Sequence, residues 1–344
     1  MRCEVSGDTV TYVVNRNINY TNICAYRCGF CAFSKGRTHE ALRGKPYDID
    51  LGEIERRVAE AWERGATEVC LQGGIHPRYT GATYLDILRA AKRGAPGIHV
   101  HAFSPLEIHH GAETTGVDLP TWFGRLIEAG LGSLPGTAAE ILDDEVRRVI
   151  CPDKLDTARW LEVIEAAHRA GLKTTATIMF GHVDRPVHWA RHLLALRQLQ
   201  ERSGGFTEFV PLPFVGREAP LYLKGRARPG PTFRETVLMH AVARLVLHPV
   251  IGRIQTSWVK MGPRGVAACL EAGADDLGGT LMNESITRAA GADHGEEWSP
   301  AEIEAFLGNL GRTARQRTTL YSAPATDRTF HSFRAARLSP LRFG

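Results

Sequence analysis

Three cysteines, Cys24, Cys28 and Cys31, lie within eight residues of one another and are spaced C-x3-C-x2-C. Thiolates are soft ligands that select iron–sulfur clusters, zinc or copper. A structural zinc site takes four ligands, usually as two separated pairs, and a fully protein-ligated cluster takes four thiolates. No fourth cysteine lies near this group in the sequence. Three thiolates on a four-iron cubane would leave one iron open, where a substrate or cosubstrate could bind directly.

The composition is that of a water-soluble globular protein. The chain has 344 residues, of which 43% are hydrophobic and 23% charged, enough for a large core. The amino terminus has no apolar signal core, and no run of about 18 apolar residues predicts a membrane span. The other cysteines are scattered, predict no disulfide framework and favour a reducing cytoplasm; they are Cys3, Cys70, Cys151 and Cys269.

The positive charge is concentrated at the carboxyl terminus. Residues 312–344 carry seven arginines and one aspartate, whereas residues 1–311 carry 35 basic and 37 acidic residues, a net charge of −2. A near-neutral body argues against a nucleic-acid groove. We therefore expect a basic extension, residues 311–344, that packs on a main domain formed by residues 1–310.

Predicted helices and strands alternate along the chain around the cysteines. Residues 9–22 are rich in β-branched and aromatic residues and predict one or two strands that lead into the cysteine loop. Asp50 predicts a helix N-cap, with Glu53 as its capping-box partner. Glycines that end predicted helices, each followed by a short strand and a glycine turn, repeat along the chain at Gly65, Gly130, Gly171 and Gly273. This repeat is typical of parallel β/α proteins.

The strand count predicts a (β/α)8 TIM-type barrel. Further strands fit residues 98–103, 206–211 and 251–256, and further helices fit residues 81–94, 155–170, 186–202, 231–247 and 262–272. Ligands bind at the carboxyl ends of barrel strands. Because the cysteine loop follows the first strand, we expect it on that face, together with the turn glycines Gly73 and Gly74.

The cysteine spacing resembles that of radical S-adenosylmethionine (SAM) enzymes. The resemblance implies a [4Fe-4S] cluster held by Cys24, Cys28 and Cys31, with the amino and carboxylate groups of SAM on the open iron. One electron from the cluster then splits SAM into methionine and a deoxyadenosyl radical. By the same resemblance, the residues around SAM are Phe30, Gly73, Gly74, Glu107, Met179 and His182. Phe30 could also be an ordinary packing residue, and Glu107 could be a glutamate at a helix start, stabilised by the helix dipole. His182 alone is weak evidence for a SAM site, because the chain has fourteen histidines.

Blocks along nearly the whole chain resemble one family within this group, the tyrosine-utilising (CofH-type) subunit of FO (7,8-didemethyl-8-hydroxy-5-deazariboflavin) synthase. These blocks include YVVNRNINYTNICAYRCGFCAFSKG, LQGGIHPRYTG, SLPGTAAEIL, TATIMFGHVD, IQTSWVKMG and GGTLMNESITRAAGA. Family members usually carry a helical lead-in before the segment that matches residues 10–22. This chain begins nine residues before that segment, as expected for a shortened gene model or for the second half of a fused FO synthase.

The resemblance implies a reaction in coenzyme F420 biosynthesis. The deoxyadenosyl radical would abstract hydrogen from L-tyrosine, and the Cα–Cβ bond would break to release a glycine-derived imine and a 4-hydroxybenzyl radical. That radical would add to 5-amino-6-(D-ribitylamino)uracil. A CofG-type partner radical SAM subunit would complete FO, and reduced flavodoxin or ferredoxin would supply the electron. The candidate substrate contacts are Ser133, Thr137, Glu140, Asn283, Glu284 and Arg288, each of which equally fits a helix cap or a rim ion pair.

Two alternative hypotheses differ from the tyrosine-utilising transferase in testable ways. The same blocks resemble, more loosely, the aminofutalosine synthase and dehypoxanthine futalosine cyclase of menaquinone synthesis, which would not turn over tyrosine. A non-enzymatic cluster or zinc protein, acting as an electron carrier or a scaffold, would need four protein ligands and would not cleave SAM. The paired histidines His99 and His101 share one strand face but have no obvious third ligand for a second metal.

Overall fold

A computed structural model describes residues 1–34, 45–284, 286–291, 294 and 297–338. Within these residues the strands are β1 Thr9–Val13, β2 Asn15–Asn19, β3 Glu68–Gln72, β4 His99–Ala102, β5 Ser133–Leu134, β6 Lys173–Phe180, β7 Phe206–Pro213, β8 Asp276–Gly279 and β9 Thr313–Arg317. The helices are α1 Arg2–Ser6, α2 Leu51–Glu63, α3 Gly81–Gly94, α4 Pro105–Thr115, α5 Leu119–Glu128, α6 Asp144–Ile150, α7 Thr157–Arg169, α8 Pro186–Ser203, α9 Pro220–Leu223, α10 Phe233–Leu247, α11 Trp258–Glu271, α12 Ile286–Ala289, α13 Pro300–Asn309 and α14 Thr326–Arg334.

The strands form a parallel barrel, as the sequence predicts. Strands β2 to β7 hydrogen-bond in chain order as one six-stranded parallel sheet. Single parallel bridges, Phe209 to Ile254 and Gln255 to Asp276, then connect β7 through residues 254–255 to β8. Strand β8 pairs with β1, and β1 and β2 are two halves of one strand path. The ring therefore closes through eight strand positions, and the expected (β/α)8 fold is confirmed.

The helix–strand repeat has the local causes that the sequence indicates. The Asp50 side chain accepts a hydrogen bond of 2.8 Å from the amide of Glu53 and so starts α2. Ile54, Val58 and Ala61 form the buried face of this helix. Gly65 then ends the turn with φ +82, a left-handed conformation that favours glycine.

The seventh strand position departs from the expected continuous strand over residues 251–256. Only residues 254 and 255 make bridges to their neighbours. The amide of Ile254 donates to the Asp275 carboxylate at 2.8 Å, and the amide of Asp275 donates to the carbonyl of Ile254 at 3.0 Å. A side chain thus takes a position that a neighbouring strand would occupy in a regular ladder. The following helix begins at Trp258 rather than near residue 262 and is interrupted at Gly262, where φ is +61.

Part of the basic carboxyl-terminal segment joins the barrel. Strand β9 pairs in parallel with β1, from Thr9–Thr313 to Val13–Arg317. The Arg317 guanidinium is buried and lies 2.6 Å from the Asp276 carboxylate and 3.0 Å from that of Glu208. This segment therefore supplies a buried ion pair to the barrel interior. Within the described residues, no helix is long and apolar enough to span a membrane.

Candidate active site

The cysteine loop lies at the carboxyl end of β2 and is held by backbone hydrogen bonds to three separate elements. The amide of Ala25 donates to the carbonyl of Ile75 at 2.8 Å, and the amide of Gly29 donates to the carbonyl of Ile150 at 2.8 Å. The carbonyl of Gly29 accepts from Leu221 at 2.7 Å. These contacts fix the loop without using a cysteine side chain. The loop therefore stands on the face where barrel enzymes bind their ligands.

The spacing of the three thiols suits a cluster better than a single metal ion. All seven cysteines are free, and the sulfurs of Cys24, Cys28 and Cys31 do not all lie within 4.8 Å of one another. Thiolates on one tetrahedral zinc, with bonds of about 2.3 Å, lie only about 3.8 Å apart. Burial raises the pKa of Cys24, and it raises that of Cys28 to about 12. Bound iron would reverse this effect, because a coordinating thiol is deprotonated. The donor set therefore fits a [4Fe-4S] cluster.

Gly73 and Gly74 pack directly against the cysteine loop. A Cβ on Gly74 would lie 2.3 Å from the carbonyl oxygen of Ile23 and 3.0 Å from the Cβ of Cys24. A Cβ on Gly73 would lie 2.2 Å from the ring of Tyr20. The amide of Ile75 also donates to the sulfur of Cys24 at 3.3 Å. The space that side chains would fill here is thus taken by the cysteine loop and its support, so the two backbones lie side by side.

Glu107 is buried and bonded only to protein groups. One carboxylate oxygen accepts from the Tyr20 hydroxyl and from the amide of Gly73 at 3.2 Å. The other accepts from the amide and the hydroxyl of Ser104, at 2.7 and 2.5 Å, which completes a capping box on α4. Burial raises the pKa of Glu107, against the opposing effect of these bonds. Glu107 thus positions Gly73, and its expected contact with the ribose or ammonium group of SAM stays a prediction.

A buried lysine that the sequence analysis missed lies beside the cysteines. Lys154 forms a 2.7 Å ion pair with Glu140, and its ammonium lies 5.2 Å from the ring centre of Phe30. Its charge lowers the pKa of both Cys24 and Cys28. Burial alone would lower the pKa of Lys154, but Glu140 and the nearby thiols raise it above its usual value. Glu140, predicted as a substrate contact, thus pairs with the cation next to the cysteine loop.

Met179 and His182 lie close together at the end of β6, as expected. Both ring nitrogens of His182 form hydrogen bonds with the backbone. Its Nε2 donates to the carbonyl of Met179 at 3.0 Å, and its Nδ1 accepts from the amide of Val183 at 2.8 Å. Burial lowers the pKa of His182, with Asp184 opposing. A neutral imidazole with both nitrogens bonded to the backbone shapes the turn after β6. The amide of Met179 donates to the carbonyl of Glu140, which joins this turn to the Lys154 pair.

The predicted substrate residues do not form one cluster. Ser133 pairs with Lys173, the first residue of β6, and so lies towards the amino-terminal ends of the strands. Its hydroxyl forms hydrogen bonds of 2.7 and 2.6 Å with His99 and His101. The Thr137 hydroxyl donates to the Gln72 side chain at 3.3 Å, near the end of β3. His99 and His101 thus contact the same hydroxyl.

The predicted substrate residues after β8, Asn283 and Glu284, also lie in different surroundings. The Asn283 side-chain oxygen accepts two hydrogen bonds, of 3.0 and 2.6 Å, from Arg16, whose guanidinium also contacts α2 at Glu60. Asn283 therefore lies on the helix side of the barrel wall. Glu284 is buried, and that burial raises its pKa. Its Oε2 has no hydrogen-bond partner within the described part of the chain. The side chain of Arg288 lies outside the described residues.

One other set of possible metal ligands converges within the described residues, namely Asp143, Glu145 and His188. Two contacts count against a metal there. Arg191 lies 2.9 Å from the Asp143 carboxylate and brings a positive charge to the set. His188 Nδ1 accepts from the amide of Arg185 at 3.1 Å, so in neutral imidazole the Nε2 that faces Glu145 carries the proton.

Comparison with protein families identifies the cysteine-loop half of the molecule. Residues 18–194, which contain the three cysteines and both glycines, match the model described as Radical SAM superfamily. The chain belongs to the radical SAM superfamily. Residues 203–326 match a second model, the CofH/MqnC C-terminal region. Membership of the superfamily implies a [4Fe-4S] cluster and SAM as cofactors.

Relatives of known name resemble the chain over nearly its full length. The FO synthase of Streptomyces coelicolor is 52% identical over 98% of this chain, and that of Mycobacterium tuberculosis H37Rv is 53% identical over 94%. The chain spans only 38% and 37% of the length of these two relatives. The 5-amino-6-(D-ribitylamino)uracil–L-tyrosine 4-hydroxyphenyl transferase of Methanopyrus kandleri is 50% identical over 93% of this chain and 86% of its own length.

Two solved structures share the fold of this chain. Methylornithine synthase superimposes with a TM-score of 0.68 over 91% of this chain and 86% of its own, at 16% identity. The hydrogenase maturase HydG of Carboxydothermus hydrogenoformans superimposes with a TM-score of 0.69 over 96% and 74%, at 18% identity. At these identities the likeness concerns the barrel and not the substrate.

Proposed function

We propose that this chain is a radical SAM transferase that cleaves the Cα–Cβ bond of L-tyrosine and adds the 4-hydroxybenzyl group to 5-amino-6-(D-ribitylamino)uracil, a step of FO formation. The observation that carries the proposal is the 50% identity to the Methanopyrus kandleri transferase, which extends over 86% of that relative. The likeness thus covers the barrel wall and the cysteine loop together, which are the parts that shape a substrate site.

In this proposal Cys24, Cys28 and Cys31 hold the [4Fe-4S] cluster. When bound, the cluster and SAM supply a deoxyadenosyl radical by one-electron cleavage of SAM. The backbone at Gly73 and Gly74 forms the adjoining wall for the methionine part of SAM, since no side chain stands between it and the cysteine loop. Phe30 would cover the cluster, and the turn after β6, with Met179, would border the adenosine side. Glu107 and His182 act by positioning these backbones.

Lys154 and Glu140 set the charge beside the cluster. The Lys154 ammonium near the proposed thiolates of Cys24 and Cys28 would offset part of their negative charge, and Glu140 keeps that ammonium protonated and in place. Net charge and burial are two of the levers by which a protein sets the potential of an iron–sulfur cluster. The Lys154 ammonium, as the member of the pair near the thiols, would therefore favour the reduced state that SAM cleavage requires.

The proposal also includes partners and a compartment. A CofG-type radical SAM subunit or domain would take the adduct and complete FO, and reduced flavodoxin or ferredoxin would supply electrons. The free cysteines and an oxygen-sensitive cluster favour a reducing cytoplasm. The barrel of residues 1–310 would carry the chemistry, and residues 311–344 would brace it through β9 and Arg317.

The test is an anaerobic turnover experiment on the reconstituted protein. The protein is mixed with dithionite, SAM, tyrosine and the ribitylaminouracil, and products are followed by mass spectrometry. We expect a hydroxybenzyl adduct of the uracil together with deoxyadenosine. Parallel reactions that replace both substrates with the enolpyruvyl-benzoate or the dehypoxanthine futalosine substrate test the menaquinone alternative. Turnover of either one, with no adduct from tyrosine, would overturn the proposal.

A further inference from the structure

Two asparagine side chains on β2 carry buried polar atoms, Asn17 Oδ1 and Asn19 Nδ2, that have no hydrogen-bond partner among the residues that the structure describes. Asn19 is only 6% exposed. Buried polar groups in folded proteins are almost always bonded, so each exception calls for a cause. Two such exceptions, two residues apart on one strand, project from the same face of the sheet.

That face is the inside of the barrel. Asn15, on the same face, donates to the Glu68 carboxylate of β3 at 2.8 Å. Arg16, on the opposite face, reaches outward to Glu60 of α2 at 2.6 Å. Residues at alternate positions along a strand keep to one side, so Asn17 and Asn19 point into the interior with Asn15.

Strand β3 places a third amide on this surface. In the register of β2 and β3, Asn17 pairs with Cys70 and Asn19 pairs with Gln72. The Gln72 side chain meets the hydroxyl of Thr137, which lies beyond β5 on the far side of β4. Gln72 therefore reaches across the barrel interior rather than outward. We name Asn17, Asn19 and Gln72 the amide ladder.

The amide ladder lies directly beneath the proposed cofactor site. Asn19 and Gln72 are the last residues of their strands. The chain continues from Asn19 into the cysteine loop and from Gln72 into Gly73 and Gly74. A molecule bound to the ladder would therefore lie between the barrel interior and SAM, where a substrate must be for the reacting atoms to meet.

The ladder is uncharged, whereas Arg317 and Glu68, the charged groups nearer the start of the strands, already have hydrogen-bond partners. Arg317 is bonded to Asp276 and Glu208, and Glu68 is bonded to Asn15. A zwitterionic amino acid would leave its ammonium and carboxylate without countercharges on the ladder, which is costly in a buried site. Neutral amides instead match the alternating carbonyl and N–H groups of a uracil ring and the hydroxyls of a polyol.

We propose that the amide ladder binds 5-amino-6-(D-ribitylamino)uracil, the pyrimidine that accepts the hydroxybenzyl group. This inference rests on the proposed function and assigns the substrate-reading residues within it. Binding would supply the partners that Asn17 Oδ1 and Asn19 Nδ2 lack. Asn17 and Asn19 are then specificity-determining residues for the acceptor rather than for tyrosine.

The test compares Asn17→Leu and Asn19→Leu with Asn309→Leu, which changes an exposed asparagine at the end of α13. Leucine keeps the volume but removes hydrogen bonding. We expect each ladder variant to raise the KM for the ribitylaminouracil about tenfold, the effect of one lost hydrogen bond, with the KM for tyrosine unchanged. Iron content and the unfolding midpoint should stay at the wild-type values, because the two unpaired atoms make no intramolecular bond. Asn309→Leu should match the wild type throughout.

Asn19→Ser serves as a second variant in case leucine disturbs folding, and equilibrium dialysis of the ribitylaminouracil gives a readout that needs no turnover. An unchanged KM and dissociation constant for the acceptor in folded variants would overturn the assignment, as would a rise in the KM for tyrosine alone. A wild-type protein that forms no adduct at all would overturn the proposed function, and the ladder assignment with it. The two failures are therefore distinguishable.

Discussion

Gly74→Ala should displace the cysteine loop although it adds only one methyl group. The new Cβ would lie 2.3 Å from the carbonyl oxygen of Ile23 and 3.0 Å from the Cβ of Cys24. Relief of the first contact to 3.0 Å requires a movement of about 0.7 Å, and the obstacle is backbone rather than a flexible side chain. Such overpacking typically costs about 1–3 kcal/mol of folding free energy. The movement falls on the segment that carries the first proposed cluster ligand.

Geometry at a reacting centre is more sensitive than stability to such a shift. A misplacement of about 1 Å can cost roughly 100-fold in rate, so we expect deoxyadenosine formation to fall by about 10- to 100-fold. The assay is iron and sulfide content after anaerobic reconstitution, SAM affinity by equilibrium dialysis, and deoxyadenosine release under dithionite. Urea unfolding of the unreconstituted protein measures the stability term separately.

The same substitution at Gly124 is the matched control. Gly124 lies inside α5, is exposed, and an added Cβ there would meet nothing within 4 Å. Alanine is favoured over glycine in an exposed helix by about 1 kcal/mol, so Gly124→Ala should stabilise the protein and leave activity unchanged. A Gly74→Ala protein with wild-type iron content, SAM affinity and stability would refute the close approach of the two segments.

Three further predictions concern the charged interior. Lys154→Gln should lower the reduction potential of the reconstituted cluster by roughly tens of millivolts, because a positive charge near the cysteines is lost. The potential is measured by EPR-monitored titration. An unchanged potential would show that Lys154 does not act on the cluster. Arg317→Met should lower the urea unfolding free energy by about 3–5 kcal/mol, because Asp276 and Glu208 lose their buried countercharge; a loss below about 1 kcal/mol would contradict this account. Burial lowers the pKa of His192 from 6.5 to about 3, so its contribution to stability is complete above pH 6.5 and is lost as the pH falls towards 3. At about pH 5.5 the loss should reach about 1.4 kcal/mol in urea unfolding, and a His192→Gln protein with the same slope against pH would assign the effect elsewhere.

The barrel was predictable because its signals are local. A capping aspartate at Asp50, a helical apolar face and a left-handed glycine at Gly65 are contiguous in the sequence, and each has the predicted geometry. The seventh strand position was overpredicted because its irregularity comes from Asp275, a residue some twenty positions away that bonds the amide of Ile254. The strand propensity of residues 251–256 is a local property and does not report a contact with Asp275.

The site was predictable where spacing carries the chemistry and not where distant segments meet. The spacing of Cys24, Cys28 and Cys31 indicates the chemistry, and the place of the loop on the barrel follows from the strand that precedes it. Lys154 has no such signal, because it reaches the cysteines only after more than a hundred residues have folded around the barrel. Asn283 was assigned to the substrate by its position after β8, yet the bend of the chain there turns its side chain to Arg16 on the outer side of the wall.

The measurement that tests the central claim most directly is the fate of ring-labelled tyrosine. The reconstituted protein is supplied with dithionite, SAM, the ribitylaminouracil and tyrosine labelled with carbon-13 throughout its ring. We expect the complete labelled ring to be recovered in a uracil adduct, and deoxyadenosine to appear only when SAM is present. Deoxyadenosine formed with unreacted labelled tyrosine would contradict the tyrosine transferase claim, and no deoxyadenosine from protein with an intact cluster would contradict the radical chemistry itself.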